Sequence, residues 1–187
     1  LLEACVGRPL DRFVYASTSS VYGDLAPIPM REDARLQPVS PYGVSKLAAE
    51  QLCFLYFVNY QVPTVALRYF TVYGPRQRPD MGFHRFLTAA YRGEALTVYG
   101  DGEQTRDFTY VDDIVAALTA AGDRGRPGAV YNVGGGSRVS INQVLGEIGR
   151  LTVRSLDIRR EAAQRGDMRD TYADTTLARA DLGFEPA

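Results

Sequence analysis

The sequence has no tryptophan, a single histidine, His84, and two cysteines, Cys5 and Cys53. A lone histidine without ligand companions and two cysteines outside any Cys-x-x-Cys spacing leave no local set for a metal, so reduced thiols and no metal are expected. An excess of charge is also missing, with 21 basic residues against 22 acidic ones. No cluster of Lys and Arg interleaves with aromatics, so the footprint of a nucleic-acid binder is absent. No apolar run reaches the length of a membrane span, and the first residues lack the charged and apolar pattern of a leader. Nucleic acid and membrane are therefore not expected as partners, and a cytoplasmic protein is. There is no initiator methionine, and Leu1 to Val6 read as the end of a helix already under way, stopped by Gly7. The chain is expected to begin inside a larger protein.

What is present is a globular composition: 187 residues, 45% of them apolar, enough for one substantial core in one domain or parts of two. Ser40-Pro41-Tyr42-Gly43-Val44-Ser45-Lys46 is the most informative stretch. Ser40 is a good N-cap and Pro41 suits the first helical position, so a helix should start here. Tyr42 and Lys46, four apart, then share one helix face. A free tyrosine is a poor base near neutrality, and a nearby positive charge favours its phenolate. The pair is a candidate proton acceptor for a hydroxyl.

Around it, Asp11 to Ser17 reads as a buried strand with Thr18-Ser19-Ser20 at its carboxyl end, where open α/β sheets gather ligands. Residues 24–38, with Pro27, Pro29 and Pro38, read as a loop. Val44, Leu47, Ala48, Leu52 and Leu55 are expected to form the buried face of the following helix, which runs to about Asn59. Val62 to Tyr69 is the next parallel strand, and the alternation argues a doubly wound sheet. Beyond Gly74 the expected pieces are a helix over 83–92, strands over 96–99 and 106–111, a helix from Asp112 to Ala121 and a strand over 130–133. A helix capped by Ser140, a strand over 156–159 and a helix capped by Asp174 complete the series. They read as too short and mixed to continue a regular sheet, and so as a smaller substrate-facing portion. Gly134-Gly135-Gly136 lacks the spacing of a phosphate loop and reads as a turn.

Four motifs stand in order: Thr18-Ser19-Ser20-Val21-Tyr22-Gly23, Tyr42-x-x-x-Lys46, Arg68-Tyr69-Phe70-Thr71-Val72-Tyr73-Gly74-Pro75, and Arg106-Asp107-Phe108-Thr109-Tyr110-Val111-Asp112-Asp113. Together they resemble the extended short-chain dehydrogenase/reductases, the NAD-dependent nucleotide-sugar epimerases and dehydratases, and most closely the 4-epimerases of UDP-glucuronate and UDP-glucose. The resemblance implies an α/β fold in which residues 1–75 are the second half of a Rossmann-like NAD-binding domain and residues 76–187 are mainly the nucleotide-sugar portion. The family's Gly-x-x-Gly-x-x-Gly loop and the acidic residue that separates NAD from NADP are not in the chain, and by resemblance a further helix is expected beyond Pro186-Ala187. The chain alone is therefore expected to hold NAD poorly and to be inactive.

The resemblance also assigns roles. Tyr42 takes the proton of the sugar 4-hydroxyl as C4 passes its hydride to NAD, Lys46 holds the nicotinamide ribose, Thr18 holds the reacting oxygen, and Tyr69 adds to the cofactor site. Return of the hydride to the opposite face of the 4-keto sugar gives inversion. Dehydratases carry an Asp-Glu pair after the Thr, and decarboxylases a Glu. Ser19-Ser20 stand here instead, which favours plain epimerisation. Ser19, Ser20 and Thr71 with Arg78 form the combination that glucuronate epimerases place around the sugar carboxylate. Arg106 falls to the diphosphate, main-chain groups of Val98 and Tyr99 to the uracil, and Asp167 to the ribose. Arg106-Asp107 can also be read as a surface ion pair. Gln164 replaces an Arg common in glucose epimerases. A homodimer is expected. The rival readings are a UDP-glucose/UDP-galactose 4-epimerase and a non-catalytic dinucleotide-binding or RNA-binding protein of the same fold, the second weakened because Tyr42 and Lys46 are both kept.

Overall fold

The computed structural model describes residues 1–164 and 166–187. A short helix, α1 (Leu2–Cys5), is followed by Gly7 at φ +69°. Strand β1 (Phe13–Thr18) then runs parallel to β2 (Thr64–Tyr69), paired from Phe13↔Thr64 to Thr18↔Tyr69. The crossover between them is α2 (Pro41–Tyr60), which starts where the sequence says it should: Ser40 Oγ accepts the Gly43 N–H at 3.1 Å, and Pro41 opens the first turn. After β2 come β3 (Val72–Tyr73), α3 (Gly82–Arg92), β4 (Leu96–Tyr99), β5 (Thr105–Asp107) and β6 (Thr109–Tyr110). The chain continues with α4 (Val111–Arg124), β7 (Val130–Val133), β8 (Arg138–Ser140), α5 (Ile141–Thr152), β9 (Ile158–Glu161) and α6 (Thr176–Leu182).

The main sheet has the order β1-β2-β7, all parallel. This corrects the expectation that nothing after Gly74 continues a regular sheet. Val130-Tyr131-Asn132-Val133 is short, but Tyr131, Asn132 and Val133 are fully buried, and a strand covered on both faces needs little length to be held. Alternation sorts the sheet's two faces. Val14, Val65, Leu67, Tyr131 and Val133 pack with Ile114, Ala117 and Ala121 of α4 and Ala178 and Leu182 of α6. Ser17, Thr64 and Arg68 point the other way, to α2. Helices on both faces make the sheet doubly wound.

The face by which α2 meets the sheet is not the expected one. Gly43, Glu50 and Cys53 are buried, whereas Val44, Ala48, Leu52 and Leu55 lie on the exposed side and only Leu47 is partly covered. An inward Glu inverts the apparent amphipathicity, because its charge is met by a buried Arg and not by water.

The remaining strands form three two-stranded ladders, β3-β6 and β4-β9 parallel and β5-β8 antiparallel. Helix α5 closes this part with a capping box: Ser140 Oγ accepts from Gln143 N–H at 3.1 Å and Gln143 Oε1 from Ser140 N–H at 2.8 Å. Thr175, not Asp174, precedes α6, although the Asp174 carboxylate does accept the Thr176 N–H at 2.9 Å. The Pro-rich loop over 24–38 is pinned by Met30, which pairs with Ala173 and packs with Tyr22, Phe70 and Met168. That contact joins the two portions beside the carboxyl end of the main sheet.

Candidate active site

Parallel pairing brings Thr18 at the end of β1 beside Tyr69 at the end of β2. The chain then makes a 3-10 turn over Ser19–Val21, in which the Ser20 N–H donates to Thr18 Oγ1 at 3.2 Å and the two hydroxyls lie 3.2 Å apart. The first turn of α2 sits directly on this turn. A Cβ at residue 43 would lie 2.6 Å from the Ser20 carbonyl oxygen, so glycine there is what lets Tyr42 approach. Tyr42 is 54% exposed and lines a cavity of about 590 Å³ with Thr18, Ser19, Ser20, Tyr69 and Thr71. Lys46, one turn on, is anchored from behind: its Nζ donates to the Ala16 carbonyl at 2.8 Å and lies 5.2 Å from the Tyr15 ring centroid and 5.9 Å from that of Tyr42. Burial pushes Tyr69 up to about 12, so it stays a neutral phenol.

The cavity runs on. Ser19, Ser20 and Thr71 also line a second space of about 100 Å³ that reaches Arg106 and Asp167, and Asp167 with Met168 opens into a third of about 110 Å³ bounded by Tyr99 and Gln164. The groove therefore collects the residues expected for sugar, diphosphate and base in that order. Arg106 does not pair with Asp107, as the plainer reading had it. It donates to Asp167 Oδ1 at 2.5 Å, and Asp107 turns into the interior. Arg78 lines the first cavity, but its guanidinium is 3.0 Å from Asp80 and not on the hydroxyl cluster. Val98 is not brought to the groove by its side chain, which lies in the core with Leu96 and Leu145. Tyr99 presents a carbonyl that already accepts from Gln104 Nε2 at 2.8 Å.

The model of the NAD dependent epimerase/dehydratase family matches residues 1–134. The chain belongs to that family. It is 43% identical over 190 residues to the Bacillus subtilis protein YtcB, described as an uncharacterized UDP-glucose epimerase, covering all of this chain and 59% of that one. Among solved structures, the UDP-glucuronic acid 4-epimerase of Bacillus cereus in complex with UDP-glucuronic acid and NAD superimposes with a TM-score of 0.96 at 43% identity, over all of this chain and 60% of that one. MoeE5 in complex with UDP-glucuronic acid and NAD does so with a TM-score of 0.94 at 46% identity, covering all of this chain and 63% of that one. The chain thus spans about 60% of the length of relatives that it matches from end to end.

The family's cofactor is a dinucleotide, and the residues here fit its nicotinamide end. An ammonium has three N–H donors. One of those on Lys46 goes to Ala16, which leaves two for acceptors of a bound group. The cavity that Tyr42 lines also has the apolar Phe70, Val72 and Val111 on its wall, which suit a flat ring.

A buried polar network behind the site escaped the sequence reading. Arg68 and Glu50, both 3% exposed, pair at 2.5 Å, Ser17 donates to Glu50 Oε2 at 2.7 Å, and Arg68 also donates to the Tyr22 hydroxyl at 2.9 Å. Tyr22 in turn donates to Asn132 Oδ1 at 2.7 Å, so the network crosses all three strands. Burial pulls the Arg68 pKa down, but its bonds to Glu50 and Tyr22 outweigh that and the net is upward, so the guanidinium stays charged. The available signal was a charged residue inside each of two apolar segments, Glu50 in the helix and Arg68 in the strand. Such residues are seldom buried unless paired.

Proposed function

We propose that the chain is the catalytic part of an NAD-dependent nucleotide-sugar 4-epimerase with UDP-glucuronate as its preferred substrate. The observation that carries this reading is the single groove in which Thr18, Tyr42 and the Ser19/Ser20/Thr71 hydroxyls lie at one end and Arg106 and Asp167 at the other. NAD+, when bound, supplies the acceptor and later the donor of a hydride at C4. Lys46, Tyr42 and Tyr69 are the residues of this chain that would hold it. Thr18 orients the 4-hydroxyl oxygen, and Tyr42 accepts its proton and later returns it. An ammonium 5.9 Å from the Tyr42 ring centroid stabilises negative charge on the phenol oxygen, which is what a transient base needs. Ser19 and Ser20 carry no acid or base able to eliminate water, which disfavours dehydration of the 4-keto sugar and favours its reduction.

For the sugar, three hydroxyls within reach of one space, with Arg78 on its wall, are donors suited to a carboxylate. The Bacillus cereus enzyme, a UDP-glucuronic acid 4-epimerase, supports the choice. The description of YtcB supports the other reading, a UDP-glucose 4-epimerase. In either case residues 1–75 with β7 would serve the cofactor, and the rest of the chain mainly the nucleotide sugar. The exposed apolar line Val44, Ala48, Leu52 and Leu55 on α2 is the proposed homodimer face.

The test is to incubate the full-length protein with NAD+ and either UDP-glucuronate or UDP-glucose and follow the products by proton NMR. Conversion of UDP-glucuronate to UDP-galacturonate is expected, and turnover of UDP-glucose alone would reverse the substrate assignment. Tyr42→Phe should lower kcat by about 10²–10⁴-fold, the usual worth of a positioned acid-base group, with NAD+ binding kept. Arg78→Ala should reduce kcat/KM for the glucuronate at least about tenfold more than for the glucose, as loss of a charged hydrogen bond does. Equal losses on both sugars would remove Arg78 from carboxylate recognition.

A further inference from the structure

Asp107 and the Gly134-Gly135-Gly136 run take no part in the chemistry above, yet they meet where the two portions of the molecule join. Asp107, on β5, is 0% exposed. One carboxylate oxygen accepts from the N–H groups of Gly135 at 2.7 Å and Gly136 at 3.1 Å, and the other from the N–H of Ala173 at 2.9 Å. Its own N–H donates to Thr171 Oγ1 at 3.2 Å. The approach tolerates no side chains: a Cβ at residue 134 would lie 2.5 Å from Asp107 Oδ2, and one at 135 would lie 2.0 Å from the Phe108 carbonyl oxygen. The glycine run therefore does cradle an anion, as phosphate loops do, but the anion is an internal carboxylate.

Three segments converge on that carboxylate. The first is β5, whose preceding residue Arg106 projects to the opposite side, as strand alternation requires, and reaches Asp167. The second is the turn that leaves β7 of the main sheet. The third is the stretch that runs from Asp167 to Ala173, where it bridges to Met30. Backbone bonds from Thr105 N–H to the Arg169 carbonyl at 3.1 Å and from Thr171 N–H to the Thr105 carbonyl at 3.2 Å already pair β5 with this segment, so the carboxylate's part is to tie the two together to the turn after β7.

We infer that Asp107 is a positioning residue for nucleotide recognition: its carboxylate suspends the Arg106–Asp167 pair from the carboxyl end of β7. The inference rests on the reading of Arg106 and Asp167 as diphosphate and ribose contacts. It is tested by titrating UDP calorimetrically into the full-length protein with NAD+ present, in the wild type and in Arg106→Ala and Asp107→Asn, and by measuring KM and kcat for the UDP-sugar in each. Asn keeps the size but turns an amide N–H toward amide donors. UDP affinity in Asp107→Asn should fall about tenfold or more and KM should rise in step, with kcat and NAD+ affinity nearly unchanged, the split expected when binding alone is lost. A merely structural role would instead lower kcat and NAD+ affinity together with UDP affinity, and that result overturns the inference. If Arg106→Ala weakens UDP and Asp107→Asn does not, the positioning role fails and the nucleotide reading stands. If Arg106→Ala also leaves UDP binding unchanged, the nucleotide reading fails and the inference falls with it. Should Asp107→Asn not fold, Gly136→Ala keeps the carboxylate and strains one donor at φ +79°; UDP binding weakened several-fold supports the inference, and unchanged binding overturns it.

Discussion

Glu50 and Asp107 are both buried acids, but Glu50 is matched by the guanidinium of Arg68 whereas Asp107 is matched by main-chain amides. The two should respond differently to neutralisation. Glu50→Gln leaves a buried guanidinium without its counter-charge and should lower the unfolding free energy by about 3–5 kcal/mol, measured by denaturant titration. The double variant Glu50→Leu/Arg68→Met should be milder than that single change, because the pair contributes little net stability once both desolvation costs are removed. Cys53 lies on the same inner face of α2. Burial, reinforced by Glu50, pushes its thiol up to about 11, so only about one part in a thousand is thiolate at pH 8. Native protein should therefore leave Cys53 unmodified by a thiol reagent until it unfolds, and rapid labelling at pH 8 would contradict the burial described.

At the level of elements, caps and glycines were the legible features. Ser40 and Ser140 announced α2 and α5, and the structure gives each the side-chain bond the sequence predicts. Ser140→Ala should destabilise the protein by about 1 kcal/mol, the usual worth of a cap. The order of strand, helix and strand through Tyr69 was readable from β-branched runs. The return of β7 to the main sheet was not, because four residues carry no periodicity and pairing is decided by contacts distant in sequence. The orientation of α2 was misread for a related reason, since apolar residues there mark a face left open by the fold. Of the residues that the resemblance singled out, Thr18, Tyr42, Ser19, Ser20, Thr71, Arg106 and Asp167 line two adjoining cavities that share Ser19, Ser20 and Thr71. Asp107 was read only as a surface ion-pair partner of Arg106, since only the fold brings Gly135, Gly136 and Ala173 to its carboxylate.

Across the whole molecule, two groups of acids pull stability in opposite directions with pH. The Thr105 hydroxyl holds Asp170 below the usual carboxylate range, and Thr176 does the same for Asp174, so their contributions are complete above the unfolded value near 4 and are lost as pH falls through the lower folded values. Burial raises Asp107 and Glu32, whose penalty at neutral pH is relieved as pH falls through their raised folded values toward about 4. Tm should therefore change little between pH 7 and 5 and drop below about pH 4, and Asp170→Asn should soften the drop in a thermal melt followed by circular dichroism. On a larger scale, α2 extends about 30 Å at 1.5 Å per residue and faces two different settings. One side holds Tyr42 and Lys46 at its start and Glu50 at its middle, and the other carries Val44, Leu52 and Leu55 outward. The Glu50–Arg68 pair at 2.5 Å ties the inner side to β2, and the outer side is left exposed. That face can be rewritten in sequence, for solubility or for a new mate, as an independent engineering surface.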